Sequence, residues 1–263
     1  MAKKIAFIRV FKNVPIAYSV ERMLRETFPE YEVDVFDLTT LIKQRPSLVA
    51  LNTAQTILTY GSDLVRRLKR PGGAFLATPY MFQNVKKIMH TVLENAQDDY
   101  LFSFQLQSLF DTSTGLMPHF VYTDHTHLAN LTYPHYDQRR MYSAKWIELE
   151  RTIYENADMV FTRSTNIKQS LIEQYEIDHG RVQCVYVGVN TQDNHTPQTT
   201  ARYTPKRILF VGIDWERKGG PDLIAAFRQV LQTHPDAHLT IVGATPELGD
   251  LPNCEVIGKI PIE

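Results

Sequence analysis

The sequence predicts an α/β protein with two domains, each built around a parallel sheet in the doubly wound arrangement. Short apolar runs alternate with longer segments whose apolar residues recur at helical spacing. Residues 5–38 open with strand, helix and strand, the order that begins a doubly wound sheet. The same order restarts at residue 206, after a polar stretch. We therefore expect a first domain at residues 1–190, a linker at 191–205 and a second domain at 206–263.

Apolar runs bounded by turn residues predict the strands of the first domain. The run at residues 5–10 is typical of a buried parallel strand, and residues 31–38 alternate between apolar and acidic side chains. Residues 101–110 are apolar and fit either a strand or a helix. Three further strands are expected at residues 119–123, 159–162 and 182–187.

Helices between these strands follow from apolar periodicity and from residues that start helices. Pro15 can occupy the first helical turn, and Ile16, Val20 and Leu24 then share one face. Ser164 is a good N-cap for a helix that buries Leu171. Helical patterns also cover residues 48–70, residues 82–96 and a segment that ends at residue 156.

The second domain repeats this order over a shorter stretch of chain. We expect strands at residues 207–213, 239–242 and 254–257, with one helix at residues 221–233. Doubly wound domains usually have roughly 100–150 residues. We therefore infer that the second domain is incomplete and that the chain is a truncated form.

Composition excludes several classes of protein. The 28 basic and 29 acidic residues give a net charge of −1, so no overall field would favour nucleic acid. No apolar run reaches the roughly 18 residues of a membrane helix, and Arg9 interrupts the N-terminal apolar run, so a cytoplasmic protein is expected. Cys184 and Cys254 are predicted to be buried free thiols.

The segment between strand and helix at residues 210–220 carries the strongest chemical signal. Gly212 permits a tight turn, and Gly219 lets the backbone approach a ligand closely. Arg217 and Lys218 place two positive charges beside the N-terminus of the next helix, where a diphosphate would be stabilised. The alternative interpretation is a solvated basic turn.

The same segment also carries a family resemblance. Residues 210–227 resemble the opening of the nucleotide-binding domain in glycosyltransferase family 4, a retaining family with the GT-B fold. Glu150, Asp158 and Ser164 are similar to the family's stretch before its domain crossover. Residues 187–190 resemble the crossover itself, and residues 256–261 resemble the strand beside the nucleobase. The resemblance covers about residues 119–263.

The resemblance implies two Rossmann-like domains and transfer of a sugar from a nucleotide-diphosphate donor to an unidentified saccharide, lipid or small-molecule acceptor. It implies no cofactor and no metal. The family's motifs assign candidate site residues in this sequence. His125 would lie beside the donor sugar as the catalytic residue, with His127 and Phe11 near the acceptor. The donor diphosphate would contact Gly212, Arg217, Lys218 and Gly219, and the nucleobase would lie near Ile257, Gly258, Lys259 and Ile260.

Two departures from the family weaken the expectation of activity. The loop after the first strand, residues 11–15, contains no glycine. The paired glutamates of the family's second domain do not occur before Glu263, so this chain alone should bind donor poorly. A nucleotide-sugar epimerase, a phosphorylase of the same fold and an inert binding fragment remain alternatives, as does a metal site at His125 and His127.

Two further features allow two interpretations each. The basic run at residues 66–70 could contact an anionic membrane, or it could complement a helix C-terminus. Aromatic residues between 102 and 142 could stack on sugars, or they could belong to the core. These are Phe102, Phe104, Tyr133, Tyr136 and Tyr142.

Overall fold

The computed structural model describes residues 4–12, 14–94, 96, 99–134, 136–188 and 206–260. The chain divides into two compact units, residues 1–192 (unit 1) and 193–263 (unit 2). The linker predicted at residues 191–205 lies outside the described residues.

Unit 1 contains a six-stranded sheet in which all neighbouring strands run parallel. Their order across the sheet is β2-β1-β3-β4-β5-β6. The ambiguous stretch at residues 101–110 is a strand as far as Leu106, and the strand predicted to reach residue 187 ends at Cys184. The strands are β1 (Lys4–Arg9), β2 (Glu32–Asp37), β3 (Tyr100–Leu106), β4 (His119–Thr123), β5 (Met159–Thr162) and β6 (Val182–Cys184).

Seven helices of unit 1 fall within the described residues, and two of them, α2 and α4, were not predicted. The helix expected at residues 48–70 ends at Val65, because Arg67 adopts a left-handed φ of 56° and Pro71 starts another helix. The helices are α1 (Pro15–Thr27), α2 (Leu38–Lys43), α3 (Pro46–Val65), α4 (Pro71–Leu76), α5 (Pro79–Glu94), α6 (Ala144–Glu155) and α7 (Thr165–Glu173).

The core of unit 1 lies on both faces of the sheet. Successive residues of a strand point to opposite faces, so β1 contributes to two clusters. Ala6 and Ile8 pack with residues of α5 and α6, while Ile5 and Phe7 pack with α1. All four side chains are completely buried. The sheet is therefore a fixed platform, and the loops at its carboxyl edge start from well-packed positions.

Unit 2 has a smaller parallel sheet with the order β7-β8-β9. Phe227 of its helix packs on Leu239 and Ile241 in the core of this unit. The elements are β7 (Arg207–Gly212), α8 (Gly220–Thr233), β8 (His238–Gly243) and β9 (Cys254–Gly258).

Both cysteines are free thiols, but the prediction that they are buried is wrong. Cys184 is the last residue of β6, at the edge of its sheet, and Cys254 is the first residue of β9. Strand ends at a sheet edge are less covered than strand centres, so both side chains are partly exposed. No helix in the described part of the chain is long and apolar enough to cross a membrane.

Candidate functional site

A cavity of about 460 Å³ opens at the carboxyl edge of the sheet in unit 1. Phe11 follows β1, Gln107 and Ser108 follow β3, and His125 follows β4, and all four residues line this cavity. In the sheet, β2 lies on one side of β1, whereas β3 and all later strands lie on its other side. In open α/β sheets, ligands bind at such a switch point, outside the carboxyl ends of the strands. We call this space the strand-end cavity.

Two segments outside the sheet form the other walls of the strand-end cavity. One is the turn between α3 and α4, and the other runs from residue 136 into α6. Apart from Leu68 and Gly73, their lining residues are cationic, aromatic or acidic: Lys69, Arg70, Tyr136, Arg140, Tyr142, Trp146 and Glu150.

His125 lies in a turn that hydrogen bonds hold in place. Its carbonyl oxygen accepts hydrogen bonds from the hydroxyls of Ser108 and Thr123, at 3.0 Å and 2.9 Å. The amide of Asn130 lies 3.2 Å from His125 Nε2 and donates to it when Nδ1 carries the proton. Surrounding protein atoms lower the pKa of His125 despite the opposing charge of Asp124. The ring is therefore neutral at pH 7 and faces the cavity.

His127 is buried and belongs to an aromatic group. Its ring stacks on Tyr142 with centroids 4.4 Å apart and meets Trp146 edge-on. His127 Nε2 accepts a hydrogen bond from the Tyr142 backbone N–H at 2.7 Å. Burial, with His125 and Lys69 nearby, lowers its pKa to about 4. A neutral His127 thus joins the turn after β4 to the segment before α6.

Glu150 lies beneath this turn and is the least exposed carboxylate of the strand-end cavity. Its carboxylate accepts hydrogen bonds from the His127 N–H at 3.0 Å, from Tyr154 at 3.2 Å and from Tyr175. Burial raises its pKa to about 7, although these donors favour the charged form. Glu150 therefore fixes the position of the turn that carries His125.

In unit 2 a tight turn, residues 213–219, joins β7 to α8. Gly219 has a left-handed φ of 77°. A Cβ on the buried Gly220 would overlap the Trp215 ring, so these positions need glycine. At the same sheet edge, Gly212 and Gly243 are register partners, and a Cβ on Gly243 would approach the Gly212 oxygen to 2.8 Å.

The two cations of this turn have different surroundings. Arg217 Nε lies 3.2 Å from the carboxylate of Asp214, and both side chains are largely solvated. Lys218 is exposed and has no ion-pair partner within the described residues. Several backbone N–H groups already bond inside the turn, from Lys218 to Asp214 and from Gly220 to Trp215. An arriving anion would therefore depend mainly on the two side chains.

The residues predicted to border the nucleobase lie at the carboxyl end of β9. Gly258 ends the strand with a φ of 76°, and Ile257 and Ile260 are exposed. Gly212, Gly243 and Gly258 thus end the three strands of unit 2 at the same edge of its sheet. Lys259 is also exposed.

Three of the predicted site residues line one cavity in unit 1, and the other predicted site residues lie along one edge of the sheet in unit 2. Phe11, His125 and His127 line the strand-end cavity, and the predicted donor residues lie at the carboxyl edge of the sheet in unit 2. The functional roles of all these residues stay predictions. Among the described residues, no group of three His, Cys, Asp or Glu side chains could hold a metal ion.

Several lining residues were missed as site residues, among them Arg140, Trp146 and Glu150. Tyr136 and Tyr142, which the sequence offered as possible sugar-stacking residues, line the cavity, whereas Phe102 and Phe104 belong to the core with residues of α1, as the core interpretation predicted. α3 ends at Val65 with Arg66 as its C-cap, so the basic run at residues 66–70 begins at a helix C-terminus, and Lys69 and Arg70 of this run line the cavity. The cationic and aromatic residues interspersed at 136–146 could have indicated that this segment forms a wall of the strand-end cavity.

Comparison with known proteins gives these features a context. The profile of Glycosyltransferase Family 4 matches residues 30–193. Protein YtcC of Bacillus subtilis (strain 168), provisionally named a glycosyltransferase, is 32% identical over 107 residues, which cover 35% of this chain and 26% of YtcC. The chain thus spans about a quarter of the length of this curated relative.

Solved structures with the same fold include sucrose-phosphate synthase from Thermosynechococcus elongatus. The two chains are 14% identical with a TM-score of 0.56, over 98% of this chain and 71% of that enzyme. A glycosyltransferase from Rickettsia africae ESF-5 gives a TM-score of 0.47 at 13% identity, over 98% and 69% of the two chains.

The two parallel sheets and the structural similarity at a TM-score of 0.56 define the GT-B class of glycosyltransferase fold. The profile match covers more than half of the sequence, and the chain belongs to glycosyltransferase family 4. The match begins well before residue 119, where the sequence resemblance started, and it ends at residue 193, the first residue of unit 2. The assignment therefore rests on unit 1, and the turn at residues 213–219 lies outside the matched residues.

Proposed function

We propose that the whole protein is a retaining glycosyltransferase that moves a sugar from a nucleotide-diphosphate sugar to an acceptor bound in the strand-end cavity. One observation carries the proposal. A neutral histidine, His125, projects into a roomy cavity at the switch point of the sheet in a chain of this family. A glycosyltransferase requires a sugar donor and an acceptor, and the two units offer separate strand edges for them.

The strand-end cavity suits a hydroxylated acceptor. Phe11 and Tyr142 supply aromatic faces against which a sugar ring can pack. Ser108, Thr123 and Asn130 supply polar groups around the same space. Pockets of this kind, mostly apolar with a few placed polar groups, are typical of small-molecule sites.

His125 would act beside the reacting carbon. With Nε2 accepting from Asn130, its Nδ1–H is free to donate a hydrogen bond to a sugar hydroxyl. Such a bond orients the sugar and stabilises charge that develops during transfer. A neutral ring suits this role, because it adds no positive charge where the sugar itself becomes electron-poor.

Arg217 and Lys218 would receive the departing diphosphate at the β7–α8 turn. The bond between the anomeric carbon and the diphosphate oxygen breaks, a bond to the acceptor oxygen forms, and the acceptor proton is released. The leaving group gains negative charge, which two cations near a helix N-terminus stabilise. Arg217 would exchange its exposed partner Asp214 for phosphate, a small cost because surface ion pairs contribute little.

Product analysis tests this proposal. The whole protein is incubated with a panel of nucleotide sugars, with and without candidate acceptors, and products are followed by proton NMR. Transfer or slow hydrolysis that keeps the anomeric configuration of the donor is expected. Epimerised donor without transfer, a sugar phosphate formed from inorganic phosphate, or no change with any donor would contradict it.

A further inference from the structure

Two arginines at the mouth of the strand-end cavity, Arg70 and Arg140, are exposed and make no side-chain hydrogen bond or ion pair in the described part of the chain. The charge of Arg140 interacts with Asp137, but the two side chains do not form an ion pair. Most other charges around the site are neutralised. Lys69 pairs with Asp63 at 2.6 Å, and Asp124 pairs with Arg163 at 3.3 Å.

A buried lysine holds these two arginines in neighbouring segments. Lys69 is only 8% exposed, and its Nζ donates to the backbone carbonyl of Arg139 at 3.1 Å. This bond joins the residue before Arg70 to the residue before Arg140, although the two segments are far apart in the sequence. Lys69 Nζ also lies 5.3 Å from the centre of the Tyr60 ring, which helps to fix it. The arrangement is therefore part of the folded structure and not a chance meeting of surface side chains.

Polar atoms deeper in the wall also lack partners. Within the described residues, Trp146 Nε1 and Gln107 Oε1 are buried without a hydrogen bond, and both residues line the cavity. Trp146 is 2% exposed. Buried donors and acceptors are normally satisfied, so an unpaired donor and an unpaired acceptor beside one cavity point to a polar ligand. The stacked pair of His127 and Tyr142 stands next to them.

We propose that the acceptor carries a phosphate group, which Arg70 and Arg140 bind while its hydroxylated part enters the strand-end cavity. This inference rests on the proposed function, because it names the acceptor of that transfer. A phosphate monoester carries about −1.5 to −2 charge at pH 7 and matches two unpaired guanidinium groups better than a single carboxylate does. Such a monoester can belong to a free sugar phosphate or to a phospholipid whose headgroup is itself phosphorylated.

Binding measured without any nucleotide tests the proposal on the 263-residue chain. Calorimetry compares glucose 6-phosphate with glucose and with glucuronate. Vesicle sedimentation compares phosphatidylcholine containing phosphatidylinositol 4-phosphate, whose headgroup carries a phosphate monoester, with phosphatidylcholine alone. We expect one phosphorylated probe to bind at least about tenfold more tightly than its uncharged counterpart, since one charge-assisted hydrogen bond supplies that factor. The soluble and vesicle arms identify the source of the phosphate.

Charge-matched variants show where the probe binds. R70Q/R140Q should weaken binding of the phosphorylated probe by at least about 30-fold. R66Q/R228Q removes two exposed arginines that do not line the cavity and should retain wild-type binding. In R70Q/R140Q the fluorescence of the buried Trp146 should also stop responding to the probe.

Three results would overturn the inference. These are no preference for either phosphorylated probe, equal loss in both double variants, and glucuronate binding as tightly as glucose 6-phosphate. None of them affects sugar transfer, which is measured separately with nucleotide sugars. Conversely, phosphate binding at Arg70 and Arg140 by a protein that transfers no sugar would contradict the proposed function and leave the phosphate site standing.

Discussion

Glu150 accepts a hydrogen bond from the backbone N–H of His127 at 3.0 Å, and this bond connects helix α6 to the turn that follows β4. The same carboxylate is bonded to the hydroxyls of Tyr154 and Tyr175. A buried carboxyl group thus sets the position of His125, two residues before His127. Variants of Glu150, His127 and His125 test whether these hydrogen bonds hold the turn in place.

Replacing Glu150 with Gln should change how stability depends on pH. Burial raises the pKa of Glu150 to about 7, so the folded protein holds a proton that the unfolded chain loses near pH 4.5. This contribution is complete below the unfolded pKa and is lost as pH rises through about 7. The free energy of unfolding of wild type should therefore fall relative to E150Q by roughly 1–3 kcal/mol across that range.

Urea unfolding at several pH values, followed by circular dichroism, measures this difference. E148Q is the matched control, because Glu148 is exposed and pairs only with Lys145 on the same helix. Parallel curves for wild type and E150Q at every pH would show that folding does not raise the pKa of Glu150.

His127 should impose the opposite pH dependence. Burial lowers its pKa to about 4, so the folded protein excludes a proton that the unfolded chain binds below its ordinary value of about 6.5. Its stabilising effect is present above the unfolded pKa and is lost as pH falls through the folded one. H127Q should be less stable at neutral pH, by roughly 1–2 kcal/mol, but the deficit should shrink as pH falls towards 4.

The exposed His179 provides a control, since H179Q should follow the wild-type stability curve. Direct NMR titration of the His127 ring gives a second readout. A titration midpoint near 6.5 would mean that the ring is solvated and that its stack on Tyr142 does not persist in solution.

Gly220 should tolerate a methyl group far less well than its neighbour. A Cβ at Gly220 would overlap the Trp215 ring, whereas a Cβ at Gly219 meets nothing within 4 Å. G219A carries only the cost of its left-handed φ, about 1 kcal/mol, while G220A must displace a packed indole and should cost roughly 3 kcal/mol or more. Hydrogen exchange of the α8 amides measures both variants in unit 2, and equal protection in the two would contradict this packing.

His125→Ala should reduce sugar transfer by about 100-fold, the usual effect of removing one polar group from a reacting centre. Affinity for nucleoside diphosphate should not change, because the predicted diphosphate contacts lie in unit 2. H179A, which removes an exposed histidine of unit 1, should transfer sugar at the wild-type rate. Loss of nucleotide affinity in H125A would contradict the proposal that His125 contacts the sugar and not the diphosphate.

Elements with a strong local pattern could be predicted from the sequence. The run at residues 5–10 and the N-cap at Ser164 formed as expected, because burial and capping act over a few residues. The helix expected at 48–70 failed at its end, since Pro71 and the left-handed Arg67 outweighed apolar periodicity. Short α2 and α4 have too few residues to show a period.

Only some of the residues that line the strand-end cavity could be predicted from the sequence. His125 and Phe11 could be found because they follow strands, and residues after parallel strands meet at one edge. Arg70, Arg140 and Glu150 reach the same cavity through contacts such as the bond from Lys69 to the Arg139 carbonyl, which joins residues 70 positions apart. Local periodicity carries no information about such contacts.

We propose that the β7–α8 turn binds the diphosphate of the donor. Calorimetry with uridine and guanosine diphosphates measures this binding without any need for sugar transfer. Wild-type chain, R217A/K218A and R207A/R228A are compared, the last pair being exposed arginines elsewhere in unit 2. We predict that one nucleotide binds wild type and R207A/R228A alike, and that R217A/K218A binds it at least about 30-fold more weakly. Equal affinity in all three proteins would contradict the claim.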